Sequence, residues 1–267
     1  MQIVVIHGWQ KAEPEVAEII ATTLGILTFE ARQKVIGGGP TVLASFADQS
    51  QADELTTKLD QAGVPAFVVD SEGLRSESVP VHVRRFILKE QALQIESLDG
   101  EFSDLNYDTI DLLLIATGTS GQTQTTGTVT ERKFSLGKTL LSGGVPMTKK
   151  VTSEQTVTTE ERDETLWLYP SGQAAIIFDR STMNYDGLGD AMHLTRDRNF
   201  AHLKNELQRL APQAIYDERL LKRAELVRML GLNLSPESDL DLAFEFLSRS
   251  LRAKSTKSSL DTLPPDE

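Results

Sequence analysis

The apolar positions of the 267-residue chain open on a continuous run. Ile3 to Ile6 is β-branched and unbroken by polar residues, the pattern of a buried strand. The rhythm then turns helical: Val16, Ile19, Ile20 and Leu24 share one face, Pro14 fits a first helical position, and Gly25 supplies a stop. Leu27 to Ile36 and Thr41 to Phe46 read as extended segments, with Gly37-Gly38-Gly39-Pro40 between them as a hairpin turn. Ser50 is the expected N-cap of a helix whose inner face is Ala52, Leu55 and Leu59, ended by Gly63, and Ala66 to Val69 is a further strand. Residues 71–80 are polar and breaker-rich, which marks a linker and a boundary near residue 75.

From Val81 the pattern becomes strand-dominated. Val81 to Leu88, Ala92 to Ile95, Phe102 to Tyr107 and Ile110 to Ala116 are short runs between breakers, with Asp99-Gly100 a hairpin signal. Leu166 to Tyr169 and Ala174 to Phe178 continue the series beyond a central excursion. The period then changes again, because Phe200, Leu203, Leu207 and Leu210 lie three and four residues apart behind a capping Thr195. Two more amphipathic helices are expected: one on Leu220, Leu221, Ala224, Val227 and Leu230, and one starting at Ser235-Pro236-Glu237 with Leu240, Phe244, Leu247 and Leu251 inward. From Lys254 onward the composition predicts a disordered tail.

Composition changes this picture little. The hydrophobic share of 39% rises to about 46% with the 18 glycines counted, an ordinary globular value. Met1 to Ile6 is too short for a signal peptide and lacks a basic flank, and no apolar run approaches a membrane span, so a cytoplasmic location is expected. The absence of cysteine removes thiolate metal sites and thiol nucleophiles; the four histidines have no metal-binding spacing, so neither metal nor cofactor is expected.

Charge changes it more. The net charge of −12 disfavours nucleic acid. Between Glu131 and Ser153, however, Arg132, Lys133, Lys138, Lys149 and Lys150 against Glu131 give +4, which leaves −16 on the remainder. That basic stretch sits inside an insertion, residues 117–163, whose thirteen threonines and partly alternating arms, Thr123 to Phe134 and Met147 to Thr159, favour an extended hairpin over a flexible loop. With Leu140, Leu141 and Val145 at its centre, the stretch has the composition of a contact surface for an acidic partner protein or an anionic membrane. Lysines that protect an exposed strand edge have the same composition.

Motifs that suggest catalysis fail on spacing. His7-Gly8 follows a strand, as in the oxyanion loop of α/β-hydrolases, but no G-x-S-x-G elbow accompanies it. Gly137-Lys138-Thr139 matches the end of a phosphate loop, yet Arg132 stands where that motif needs glycine. Asn184 to Asp190 lacks the ligand spacing of a calcium loop. No catalytic residue is nominated.

The order β-α-β-β-α-β over the first 75 residues resembles the ferredoxin-like fold. Leu93 to Leu113, L-x-I-x-x-x-D-G-x-x-x-x-x-x-Y-x-x-I-x-L-L, with the strands and helix that follow, resembles the pleckstrin-homology-like architecture, a bent antiparallel barrel plugged by a helix. The whole chain resembles uncharacterised bacterial proteins that join these two parts and carry a similar stretch from T-E-R-K-F-S-L-G-K to M-T-K-K. The resemblance implies an α+β chain: a ferredoxin-like segment at 1–75, a pleckstrin-homology-like β domain at 76–215 and a helical extension at 216–253. It also implies a module that binds rather than catalyses. A peripheral membrane protein and an enzyme of unrecognised type are the alternatives.

Overall fold

The computed structural model describes residues 1–11, 13–77, 79–134 and 148–260, with side chains outside 75–77, 119–162 and 255–260. Its compact units are Met1–Gly118 together with Glu164–Glu267, and Thr119–Asp163. The chain is α+β and carries two sheets.

In the smaller sheet, β1 (Gln2–Ile6) lies between β2 (Thr41–Phe46) and β3 (Ala66–Asp70), antiparallel to both. The continuous apolar run of β1 has a simple cause: both of its faces are covered. Val4 and Ile6 pack with Leu43 against α1 (Pro14–Leu24), α2 (Thr28–Val35) and α3 (Gln49–Gln61), whereas Ile3 and Val5 join Val42 and Val69 in a different core. Helix α1 begins at Pro14 and ends where Gly25 takes a left-handed φ of 65° and donates its N–H to Ala21 O, as its sequence predicts.

The expected strand over Leu27–Ile36 is helix α2, so this sheet has three strands where the ferredoxin-like expectation needs four. The segment buries Ala31 and Val35, four residues apart, and the Glu30 carboxylate accepts the Leu27 N–H at the helix start. Gly37 to Pro40 therefore joins a helix to a strand and makes no hairpin. Its glycines permit close approach: a Cβ on Gly38 would meet Gln10 O at 2.7 Å, and one on Gly39 the His7 Cα at 2.9 Å. The cap of α3 also moves, from Ser50 to Asp48, whose carboxylate accepts the Ser50 N–H at 2.8 Å. The expected linker at 71–80 holds a short helix, α4 (Ser71–Glu77).

The larger sheet has the order β10-β7-β8-β9-β4-β5-β6. Strands β4 (Val81–Leu88), β5 (Ala92–Ser97) and β6 (Phe102–Asn106) form an antiparallel meander, with Gly100 at φ 85° in the predicted turn. The long strands β7 (Ile110–Phe134) and β8 (Thr148–Pro170) follow, then β9 (Ile176–Asp179), which pairs antiparallel with β8 and parallel with β4. A short β10 (Ile215–Asp217), not foreseen, lies parallel to β7. The sheet is open among the described residues, so the expected barrel closure is not observed. Helix α5 (Arg196–Leu210), capped by Thr195 as expected, packs Phe200, Leu203 and Leu207 onto Leu113 and Ile115 of β7 and Leu166 and Leu168 of β8.

The other face of the same strands, Leu112, Leu114 and Ala116, meets α6 (Arg223–Leu230) and α7 (Leu240–Leu260). Those two helices share one core with Ile3, Val5, Val42 and Val69 of the smaller sheet. A single apolar cluster thus draws on residues before and after position 75. Helix α7 starts at Leu240 and not at Ser235, because Ser235 to Asp239 closes a turn in which the Asp239 N–H donates to Ser235 O and the Asp239 carboxylate accepts the Ser235 N–H, both at 2.8 Å. The helix continues through Lys254 to Leu260, where a disordered tail is expected.

Candidate functional site

Strand β7 ends at Phe134 and β8 begins at Thr148, and the two are hydrogen-bonded neighbours. The 13 residues between them reach about 45 Å when fully extended, whereas a 23-residue strand runs about 75 Å. A connection that short cannot return to the far end of β8, so β7 and β8 form an antiparallel hairpin. Over the described residues, 123–134 and 148–159, the threonine-rich arms are strands. Arg132 and Lys133 stand on the last residues of β7, and Lys149 and Lys150 on the first residues of β8, so both basic pairs belong to the same end of the hairpin. Lys138, Leu140, Leu141 and Val145 lie outside the described residues.

Two recesses in the larger compact unit have a defined lining that sequence reading did not find. The first, about 510 Å³, follows β2, an edge strand of the smaller sheet. Phe29 and Gln33 of α2 line one side, and Val227 of α6 with Leu232 beyond it the other. Lys34 Nζ donates to Leu43 O at 3.2 Å, and the Arg228 guanidinium donates to Ile36 O at 2.8 Å, to Gly38 O and to the Glu225 carboxylate, so both cations are already engaged.

The second, about 400 Å³, lies between β8, α7 and the connection from α4 to β4. Its wall is aromatic. Trp167 stacks on Phe244 with ring centroids 4.0 Å apart, and Tyr169, two residues further along the strand, is 6.3 Å from Trp167. Opposite stand Asp241 and Glu245, one helical turn apart on α7, and Arg252. Arg252 lies 5.4 Å from the Tyr169 ring centre and 3.6 Å from Asp111, while Glu245 accepts a hydrogen bond from Arg249. Burial first, and the Glu245 charge second, push the Tyr169 hydroxyl far above the ordinary phenol range. The hydroxyl is thereby held in its protonated form.

The signals for this cavity were present but ordinary. Trp167 and Tyr169 sit at strand spacing on one face, and Asp241, Glu245 and Arg249 at helix spacing. Each pattern is common alone; the fold makes them meet. Among the described residues no group of three or more His, Asp or Glu could hold a metal ion, and no helix is long and apolar enough to cross a membrane. Comparison of the chain with family models, curated proteins and solved structures returned no match.

Proposed function

We propose that the chain is a non-catalytic, cytoplasmic binding or scaffolding protein that offers the end of the β7–β8 hairpin to an acidic partner protein. The reading rests on one observation: two basic pairs at the same end of adjacent strands, within a segment of +4 on a chain that carries −16 elsewhere. Opposite charge concentrated at one end of an extended element speeds encounter with an acidic surface and selects against basic ones. Leu140, Leu141 and Val145 supply the apolar contact in this proposal. The pleckstrin-homology-like relationship belongs to the same reading, as a β-rich binding module backed by α5.

The test replaces Arg132, Lys133, Lys138, Lys149 and Lys150 by serine and compares this variant with the wild-type chain by affinity capture from the native cell. The expected result is a partner retained by wild type, released by salt and lost in the variant while its circular dichroism is unchanged. Equal capture by both proteins overturns the proposal. Salt-sensitive co-sedimentation of wild type with anionic liposomes, without protein capture, moves the assignment to a peripheral membrane protein.

A further inference from the structure

The smaller sheet ends on β2, and the 510 Å³ recess follows that edge from Thr41 to Ser45. Met1 O accepts the Ser71 N–H and the His7 N–H donates to Pro65 O, so the odd-numbered residues of β1 hydrogen-bond to β3 and the even-numbered ones to β2. Ser45 is opposite Ile3 and therefore turns its N–H and C=O away from β1. Two residues back, the Leu43 carbonyl accepts from the Lys34 ammonium. Leu43 and Ser45 hold alternate positions on an edge strand, the ones at which a further strand pairs. A carbonyl has two lone pairs, so Lys34 leaves Leu43 O able to accept again. The Ser45 hydroxyl is buried and has no hydrogen-bond partner.

Two walls flank this edge, one on each face of the sheet. Phe29 of α2, 70% exposed, stands on the face of Val4, and Val227 of α6 with the fully exposed Leu232 on the face of Val5. Large apolar side chains gathered in this way mark a surface that another molecule covers. The lining carries Glu30, Lys34 and Arg228, and Arg228 is paired with Glu225, so positive and negative groups balance within the wall. A balanced wall selects an uncharged occupant, because a charge brought there loses water without gaining a counter-ion.

The occupant that fits is main chain. A small apolar molecule fills the recess but leaves the Ser45 amide and carbonyl unpaired, whereas an extended backbone pairs them and sends alternate side chains to the two walls. The β2 edge of a second copy does not fit. It lies between the same two walls, and two such edges cannot approach to the strand spacing of about 4.8 Å.

We propose that the recess binds an extended peptide segment of a partner protein, uncharged along the stretch it inserts, which adds to β2 as a fourth strand of the smaller sheet. The proposal does not rest on the basic end of the hairpin.

A displayed library of random nonapeptides, selected on the immobilised full-length protein, supplies the probe. The selected peptides share an uncharged stretch and bind wild type saturably in fluorescence polarisation. Their amides are then N-methylated one at a time. Methylation at every second residue of the stretch lowers affinity about tenfold or more, and methylation at the residues between has little effect, because only alternate amides face β2. Ser45→Pro removes the outward amide, spares the ladder to β1 and lowers affinity by a similar factor with circular dichroism unchanged. Phe29→Ser combined with Leu232→Ser, a change confined to exposed side chains, also weakens binding and locates the peptide even if Ser45→Pro does not fold. Failure to select any peptide, methylation effects without the alternating pattern, or wild-type affinity in the Phe29–Leu232 double variant overturns the proposal.

Discussion

Phe244 is fully buried and stacked on Trp167, which joins the aromatic cavity to the shared core through one ring contact. Phe244→Ala removes that contact and leaves a void, with an expected loss of about 3–5 kcal/mol in urea-induced unfolding and a red shift of the Trp167 emission. Gly187 has a different sensitivity. A Cβ there would lie 1.6 Å from the Phe86 carbonyl oxygen, so the 3₁₀ turn at Asp186–Ala191 cannot keep its place against β4 with any side chain at that position. Gly187→Ala is expected to destabilise the protein by about 1–3 kcal/mol or more, read from the same unfolding curve, whereas a change at Gly172, which has no neighbour within 4 Å, acts only through its φ of 67°. Residues of this kind are illegible in sequence. Gly187 reads as one more turn glycine, and only the approach of a strand distant in sequence gives it its role.

Elements were legible where start, face and stop agreed. Helix α1 has its proline, its apolar stripe and its glycine, and α5 has its Thr195 cap. Removing that cap in Thr195→Ala, which leaves the Arg198 N–H without its acceptor, is expected to cost about 1 kcal/mol, with Thr195→Ser restoring most of it in thermal melts. Helix α2 misled because its apolar residues do not all point inward: Leu27 and Phe29 are each 70% exposed and Ile36 46%. Counted as core positions, they imitate a strand; only Ala31 and Val35 carry the helical contact. Helices α3 and α5 hold several carboxylates below their ordinary range. The Ser50 N–H lowers Asp48, the Lys58 ammonium lowers Glu54, and the Arg209 guanidinium lowers Glu206. A depressed carboxyl stabilises the fold above its unfolded value and loses that contribution as pH falls through the folded one. Thermal stability is therefore expected to decline below about pH 4.5, the ordinary glutamate value, in melts across an acid series.

At the scale of the molecule, sequence periodicity identified apolar faces but not what covers them. Ile3 and Val5 face α6 and α7, elements more than 200 residues away in the chain, and no local signal encodes that pairing. The basic ends of the hairpin were legible because charge needs no partner to be counted; the Trp167 cavity was not, because strand and helix contribute to it from opposite parts of the chain. A fragment of residues 1–77 keeps its outer helices but exposes Ile3, Val5, Val42 and Val69. It is expected to aggregate or remain unfolded by circular dichroism, despite the linker-like composition that follows residue 70. A well-folded fragment with a cooperative melt contradicts the shared core.

Helix α7 therefore sets the order of events on the ribosome. Both sheets are synthesised before residues 240–251, and α7 adds Leu242, Ala243, Phe244, Phe246, Leu247 and Leu251 to a core to which α6 gives Leu226, Met229 and Leu230. While the nascent chain lacks those residues, two apolar faces stand open at once, and folding waits for the last helix to arrive. Ribosome-bound chains stopped before Leu242 are expected to recruit chaperones and to be protease-sensitive, and chains extended past Leu251 are not.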